Sequence, residues 1–326
     1  IIMLDQYRRN IHYLRVSVTD RCDLRCRYCM PADGVQWMEH DAILSYEQIV
    51  RLVRLAAGMG IDTVRLTGGE PLVRKGLDRL VWALKAIPNI RTVTLTTNGV
   101  LLAEQLPALC KAGLDGVNIS LDTLDRAQYA AITRRDLLPR ALEGLEAALA
   151  QPGLRVKLNC VPMGENDSQL VPLAALARGR RVDVRFIELM PIGLGDTLPR
   201  RTQEEVLAVL EQAFGPAGPC GQGGGSGPGR YVTFPGFTGR VGFISAVSHQ
   251  FCEDCNRVRL TAAGFLKTCL QYDSGINLKA LLDSGADKHT LRAAMERAIF
   301  AKPACHHFSA SGTAEDERRS MYQIGG

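Results

Sequence analysis

From residue 13 to about residue 190 the chain alternates short β-rich runs with amphipathic stretches, and this alternation constrains the fold more than any other feature. The strand candidates are YLRVSV from Tyr13, DTVRLTG from Asp62, RTVTLTT from Arg91, GVNISLD from Gly116, RVKLNCV from Arg155 and VDVRFIEL from Val182. Between them, Tyr46 to Met59, Gly76 to Ala86 and Pro139 to Ala150 carry apolar residues at helical spacing. Strict strand–helix alternation predicts an α/β fold with a parallel sheet and right-handed crossovers. Six such units predict an open or partial (β/α)6 barrel. Active sites of such folds gather at the C-terminal ends of the strands. GGEP at 68–71, TNG at 97–99 and SLD at 120–122 fall at those ends, so the unusual residues are expected on one rim.

The texture changes at residues 215–230, GPAGPCGQGGGSGPGR, a glycine- and proline-rich connection without the G-x4-G-K-[ST] pattern of a phosphate loop. Beyond it, YVTFPGFTGRVGFISAV reads as a hairpin region and Leu291 to Ala301 as a helix. The expected organisation is a barrel domain over 1–214 and a smaller C-terminal domain over 215–326 that closes on it.

With 46% hydrophobic and 22% charged residues, the chain reads as an ordinary globular protein. No uninterrupted apolar run reaches the length of about 18 residues that a membrane span requires. The first ten residues, IIMLDQYRRN, lack the apolar core of a signal peptide, which predicts a cytoplasmic location. Met3 hints that residue 1 is not the start of translation. A net charge of +5 with dispersed arginines argues against nucleic acid and is compatible with a phosphorylated substrate.

Most of the ten cysteines fall in two clusters, a pattern of metal binding or catalysis in a large intracellular protein. Cys22, Cys26 and Cys29 form C-x3-C-x2-C just after the first strand. Structural zinc and a fully caged four-iron cluster each take four ligands. Three thiols on a tight loop therefore point to a cluster with one open iron, against a zinc loop that borrows a ligand or a redox pair. Cys252, Cys255 and Cys269 fit structural zinc and a second cluster about equally; two separate triads, each one ligand short, tip the choice toward clusters. Cys110, Cys160, Cys220 and Cys305 read as small buried hydrophobes. His306 and His307 read as a surface pair near a helix end.

Several cations sit where a solvated charge would not. Arg15, Arg65 and Lys157 each interrupt an apolar strand, where an unpaired charge is costly. Arg257 and Arg259 alternate along a strand-like run, so both guanidiniums face one way and suit a triphosphate. Gly68 and Gly69 permit either a tight turn or a close backbone approach to a ligand.

CDLRCRYC and GGEP resemble the two hallmarks of radical S-adenosylmethionine (SAM) enzymes. SVTDRC, YCMP, RLTGGEPL, TTNG, ISLD, FIELMPIG, CNRVRL and the closing IGG resemble, in order, the motifs of the GTP 3′,8-cyclase family within that superfamily. The resemblance spans nearly the whole chain and is loosest at residues 221–229 and in the short tail. It implies a radical-SAM barrel with a smaller cluster-binding C-terminal domain. It implies two [4Fe-4S] clusters, one on Cys22, Cys26 and Cys29 and one on Cys252, Cys255 and Cys269. S-adenosyl-L-methionine would lie against Tyr28, Gly69, Ser120 and Met190. GTP would lie against Arg15, Arg65, Thr96, Lys157, Arg257, Val258 and Arg259, with Gly325 and Gly326 reaching into the cavity near Arg15. The reaction implied joins the ribose 3′ carbon of GTP to guanine C8, the first step of molybdenum cofactor synthesis.

The implied partners are a reduced flavodoxin- or ferredoxin-type electron donor and, downstream, a cyclic pyranopterin monophosphate synthase; a homodimer is left open. Thr63 departs from the family, many members of which carry a second basic residue there. The alternatives are another radical SAM enzyme with an auxiliary cluster, acting on a peptide, and a zinc-dependent nucleic-acid-binding protein. The second predicts a basic, aromatic-studded face, yet only 6% of the residues are aromatic.

Overall fold

The computed structural model describes residues 2–220, 227–308 and 316–325. Gly326 and residues 221–226 of the glycine-rich stretch lie outside the described residues. All six expected strands form: β1 (Tyr13–Ser17), β2 (Thr63–Thr67), β3 (Thr92–Thr97), β4 (Gly116–Ser120), β5 (Arg155–Cys160) and β6 (Val182–Ile187). They pair in sequence order, all parallel. The expected helices also form, at Tyr46–Ala57, Leu77–Lys85 and Leu138–Ala150. The first opens on a capping box, Ser45 accepting from the Gln48 N–H while the Gln48 side chain accepts from the Ser45 N–H.

Six further strands follow: β7 (Gly218–Pro219), β8 (Arg230–Thr233), β9 (Val241–Ile244), β10 (Arg257–Leu260), β11 (Phe265–Lys267) and β12 (Gly275–Asn277). β8 and β9 make the expected antiparallel hairpin. β9 then joins β6, and β10 joins β1, both in parallel. The sheet order is β12-β11-β10-β1-β2-β3-β4-β5-β6-β9-β8-β7, an open array with eight parallel strands at its centre. Strands from both sides of the glycine-rich stretch thus share one sheet. Among the described residues no helix is long and apolar enough to cross a membrane.

Each central strand alternates with period two. Leu14 and Val16, Val64 and Leu66, Val93 and Leu95, and Val117 and Ile119 are all buried in the main apolar core. The intervening residues, such as Arg15, Arg65, Thr94, Asn118, Lys157 and Arg185, line a cavity instead. One face of the sheet is therefore packed with aliphatic side chains, and the other presents polar and basic groups to a shared space.

Candidate active site

The cavity enclosed by the polar face has a volume of about 390 Å³, in the size range of small-molecule sites. GGEP, TTNG and the Cys22–Cys29 loop meet at its C-terminal rim, as the strand ends predict. Glu70 holds them together. Its carboxylate, 1% exposed, accepts from the Leu72 N–H at 3.0 Å, Thr97 Oγ1 at 2.8 Å and the Asn98 N–H at 2.6 Å. Asn98 Nδ2 in turn donates to Asp23 Oδ1 at 2.6 Å, inside the cysteine loop. Burial pushes the Glu70 pKa up to about 8, against the pull of those hydrogen bonds.

The two glycines have a packing reason. The Gly69 N–H donates to the Thr19 carbonyl at 2.8 Å and the Glu70 N–H to the Arg21 carbonyl at 2.7 Å. A Cβ on Gly68 would lie 2.6 Å from the Thr19 oxygen, and one on Gly69 would lie 2.6 Å from the Asp20 oxygen. Only glycine lets this segment lie against the residues that lead into Cys22. Gly69 also borders the cavity.

The three loop thiols face the cavity, and all ten cysteines are free. Burial, with the charge of Glu70, raises the Cys22 pKa far above a normal thiol, and burial pushes Cys29 up to about 12. Burial and its neighbour Cys29 raise Cys26 as well. Metal coordination deprotonates a thiol outright, so this buried donor set fits a metal centre. Tyr28 donates to Asp122 Oδ2 at 2.8 Å, and the Val161 N–H donates to Asp122 Oδ1 at 2.8 Å. Burial pushes the Asp122 pKa up to about 6. Ser120 and Met190 border the same end.

The second triad lies at the opposite end. Cys252 and Cys255 precede β10, which runs parallel to β1, whereas Cys22 follows β1. β11 returns antiparallel to β10, with Lys267 beside Arg259, so Cys269 comes back toward Cys255. The unusual residues therefore occupy both ends of the cavity, not one rim alone. Burial would raise the Cys255 thiol, but the charges of Lys302 and Arg257, with a Lys302 hydrogen bond, bring it below its ordinary value.

Between the triads lies a row of cations. In register, Arg259, Arg15 and Arg65 stand side by side on three adjacent strands, which are about 4.8 Å apart. Burial and the charge of Arg259 hold Arg15 well below its ordinary pKa; Arg65 and Arg259, both lowered mainly by burial, come to about 10. Arg65 Nε donates to Thr94 Oγ1 at 3.2 Å. With its amide oxygen turned toward the guanidiniums, Asn118 accepts from Arg65 and, at 2.9 Å, from Arg185. Arg257 and Arg65 each place a guanidinium 5.6 Å from the Tyr13 ring. Lys157 donates to the Tyr231 hydroxyl at 3.2 Å and pairs with Asp183 at 3.6 Å. Buried Thr96 Oγ1 and Arg257 Nε have no partner among the described residues, as atoms kept for a ligand would.

The C-terminal segment enters this row. Met321–Ile324 forms a short helix with a capping box, Ile324 is fully buried, and Tyr322 packs edge-on against Trp37. The Gly325 carbonyl then accepts from Arg259 Nη1 at 3.2 Å, Arg15 Nη2 at 3.3 Å and Thr67 Oγ1 at 3.5 Å. The expected insertion near Arg15 holds for Gly325; Gly326 lies outside the described residues.

The cavity brings together every expected side chain but one. Val258 turns away from it into the apolar core, because it alternates with Arg257 and Arg259. Thr63 does face the cavity and brings a hydroxyl rather than a cation to it. His306 is not a surface residue: it is 7% exposed, lines the cavity and lies tilted against Phe308 with ring centroids 4.4 Å apart. His307 is exposed. Cys305 lines the cavity near Cys252, whereas Cys160 is the buried small hydrophobe expected. Sequence reasoning also passed over Arg185 and Asn118. Arg185 carries the signal that marked Arg15, a charge interrupting an apolar strand.

A parallel sheet with a three-cysteine loop after its first strand, braced by a glycine–glycine–glutamate turn, defines the class of radical SAM enzymes. Residues 16–177 match the Radical SAM superfamily, and residues 182–308 match Molybdenum Cofactor Synthesis C. Curated GTP 3′,8-cyclases from Pelotomaculum thermopropionicum and Heliobacterium modesticaldum are 46% and 47% identical, over 99% of this chain and 100% of theirs. The chain belongs to the GTP 3′,8-cyclase family, whose superfamily uses SAM and a [4Fe-4S] cluster. Among solved structures, Streptococcus suis SuiB bound to S-adenosylmethionine has a TM-score of 0.58 at 16% identity, covering 89% of this chain and 68% of that one. That likeness concerns the fold alone.

Proposed function

We propose that this chain converts GTP to (8S)-3′,8-cyclo-7,8-dihydroguanosine 5′-triphosphate, the first step of molybdenum cofactor biosynthesis, inside the cavity described. One observation carries the reading: a single cavity holds a cysteine triad at either end and a row of arginines between them. Cys22, Cys26 and Cys29 would hold one [4Fe-4S] cluster, and Tyr28, Gly69, Ser120 and Met190 would border SAM. Bound there, cluster and SAM supply one-electron bond cleavage and hydrogen-atom abstraction.

Cys252, Cys255 and Cys269 would hold a second cluster that faces the guanine base. Two separate triads, each one thiol short of a four-ligand zinc site, favour a cluster over zinc here.

The chain's own residues do the positioning. Arg15, Arg65, Arg257 and Arg259, with Lys157 and Arg185, would grip the triphosphate, and Thr96 would add a hydroxyl. Pinning the triphosphate and the base at opposite ends of a closed space brings ribose C3′ and guanine C8 together, an orientation task. The Gly325 carbonyl aims Arg15 and Arg259 and helps to exclude water. The segment 1–214 would act as the SAM domain and 215–326 as the second-cluster domain. The reading also includes a cytoplasmic enzyme, a reduced flavodoxin- or ferredoxin-type electron donor and a cyclic pyranopterin monophosphate synthase downstream.

Anaerobic reconstitution tests the assignment. The protein is expected to hold about eight irons as two four-iron clusters. Cys22→Ser should remove one cluster and all SAM cleavage. Cys269→Ser should keep SAM cleavage and lose GTP binding. One stoichiometric zinc at the second triad would refute its assignment.

A further inference from the structure

One thiol is left over at the second triad. Cys305 lines the same cavity as Cys252, Cys255 and Cys269. A buried clamp fixes its place. Arg9, 8% exposed, pairs with Asp5 at 2.6 Å. Its guanidinium donates to the carbonyls of Cys252 at 2.8 Å, Ala304 at 2.8 Å and Pro303 at 2.6 Å. One side chain thus ties the loop bearing the first cysteine of the triad to the loop bearing Cys305. The next residue, His306, directs its backbone N–H at the Cys252 sulfur. The Cys305 sulfur itself lies 3.9 Å from His307 Nε2.

A four-iron cluster on three thiolates has one iron free for a further donor. Resting on the reading that Cys252, Cys255 and Cys269 hold the second cluster, we propose that Cys305 is a displaceable fourth thiolate, closing the open iron while GTP is absent. Closure forms one iron–sulfur bond and releases the thiol proton to solvent. Arrival of the guanine base breaks that bond, and the sulfur takes a proton back. The Arg9 clamp keeps the thiol within reach in both states, so the open iron is shielded from water and oxidants between turnovers.

The test uses full-length protein, reconstituted anaerobically, with iron counted. Thiols are alkylated with iodoacetamide and mapped by peptide mass spectrometry. In metal-free protein Cys305 should react; in loaded protein without GTP it should be protected by about tenfold or more, because a coordinated thiolate is not a free nucleophile. Reaction of Cys305 at the metal-free rate, with Cys252, Cys255 and Cys269 protected, overturns the proposal and leaves the second cluster standing. Reaction of all four, with only about four irons bound, overturns the cluster reading itself. Cys305→Ala gives an independent readout. It should keep full iron and bind GTP about three- to tenfold more tightly, since no internal ligand remains to be displaced. Unchanged or weaker GTP binding by that variant, at full iron content, also overturns the proposal.

Discussion

Gly325→Ala is a small change at the point where the C-terminal segment meets the arginine row. Gly325 has φ +83°, in the left-handed region, and a Cβ there would lie 3.2 Å from the Ser17 Cβ and 3.4 Å from the Thr67 Cγ2. A side chain in the left-handed region costs about 1–2 kcal/mol. The contact with Ser17 adds to this, because Ser17 sits in β1 and cannot retreat. Three hydrogen bonds to the Gly325 carbonyl, two of them from guanidiniums, hold the segment docked against this penalty. The penalty alone shifts the docked-to-undocked ratio by a factor of about 5–30. Hydrogen exchange over residues 316–325 should rise by that factor, while the melting temperature, set by the main core, stays near wild type. GTP cyclisation should fall by up to the same factor, with iron content and SAM binding intact. Gly325→Val should be worse, since a β-branched side chain tolerates positive φ least. Wild-type exchange protection in Gly325→Ala would refute the insertion of the carbonyl. Raised exchange with full cyclisation would refute its role in positioning Arg15 and Arg259.

Arg257→Ala and Arg259→Ala should each weaken GTP binding by tenfold or more, since a charge-assisted hydrogen bond contributes about 1.5–3 kcal/mol; equal losses for guanosine in equilibrium dialysis would show that neither reads the triphosphate. Burial and the charge of Arg185 push the Lys157 pKa down to about 8. The lysine is therefore charged below that pH and neutral above it, so kcat/KM for GTP should fall as pH rises through about 8. Lys157→Met should lose that alkaline limb, and a limb of unchanged size in the variant would assign it to another group. Saturating GTP at about 100 times its Kd should stabilise the loaded protein by about 2.7 kcal/mol, read as a rise in melting temperature that guanosine at the same concentration does not match.

The sequence made the α/β core legible because local signals and global fold agree there: Val16, Leu66 and Leu95 alternate with cavity residues at period two, and the strands pair in chain order. The joining of β10 to β1 and of β9 to β6 was not legible, since both pairings bring back strands from far along the chain and no local pattern encodes the partner. For the same reason the second triad was visible as three spaced cysteines while its place at the far end of the cavity was not. Arg9 gives no signal in QYRRN that separates a buried clamp from a surface charge. Cys305 reads as an isolated cysteine until the 303–306 segment is seen held against Cys252.

The arginine row shows how the fold depends on what it binds. Arg259, Arg15 and Arg65 lie in register on adjacent strands, so their like charges repel and all three are desolvated. Among the described residues, the Gly325 carbonyl accepts from Arg15 and Arg259, the Thr94 hydroxyl from Arg65, and the faces of Tyr13 and Phe251 lie against Arg257. Neutral acceptors and ring faces steady the cations without cancelling their charge. A triphosphate bound here would meet donors already aimed, and relief of their mutual repulsion would become part of its affinity.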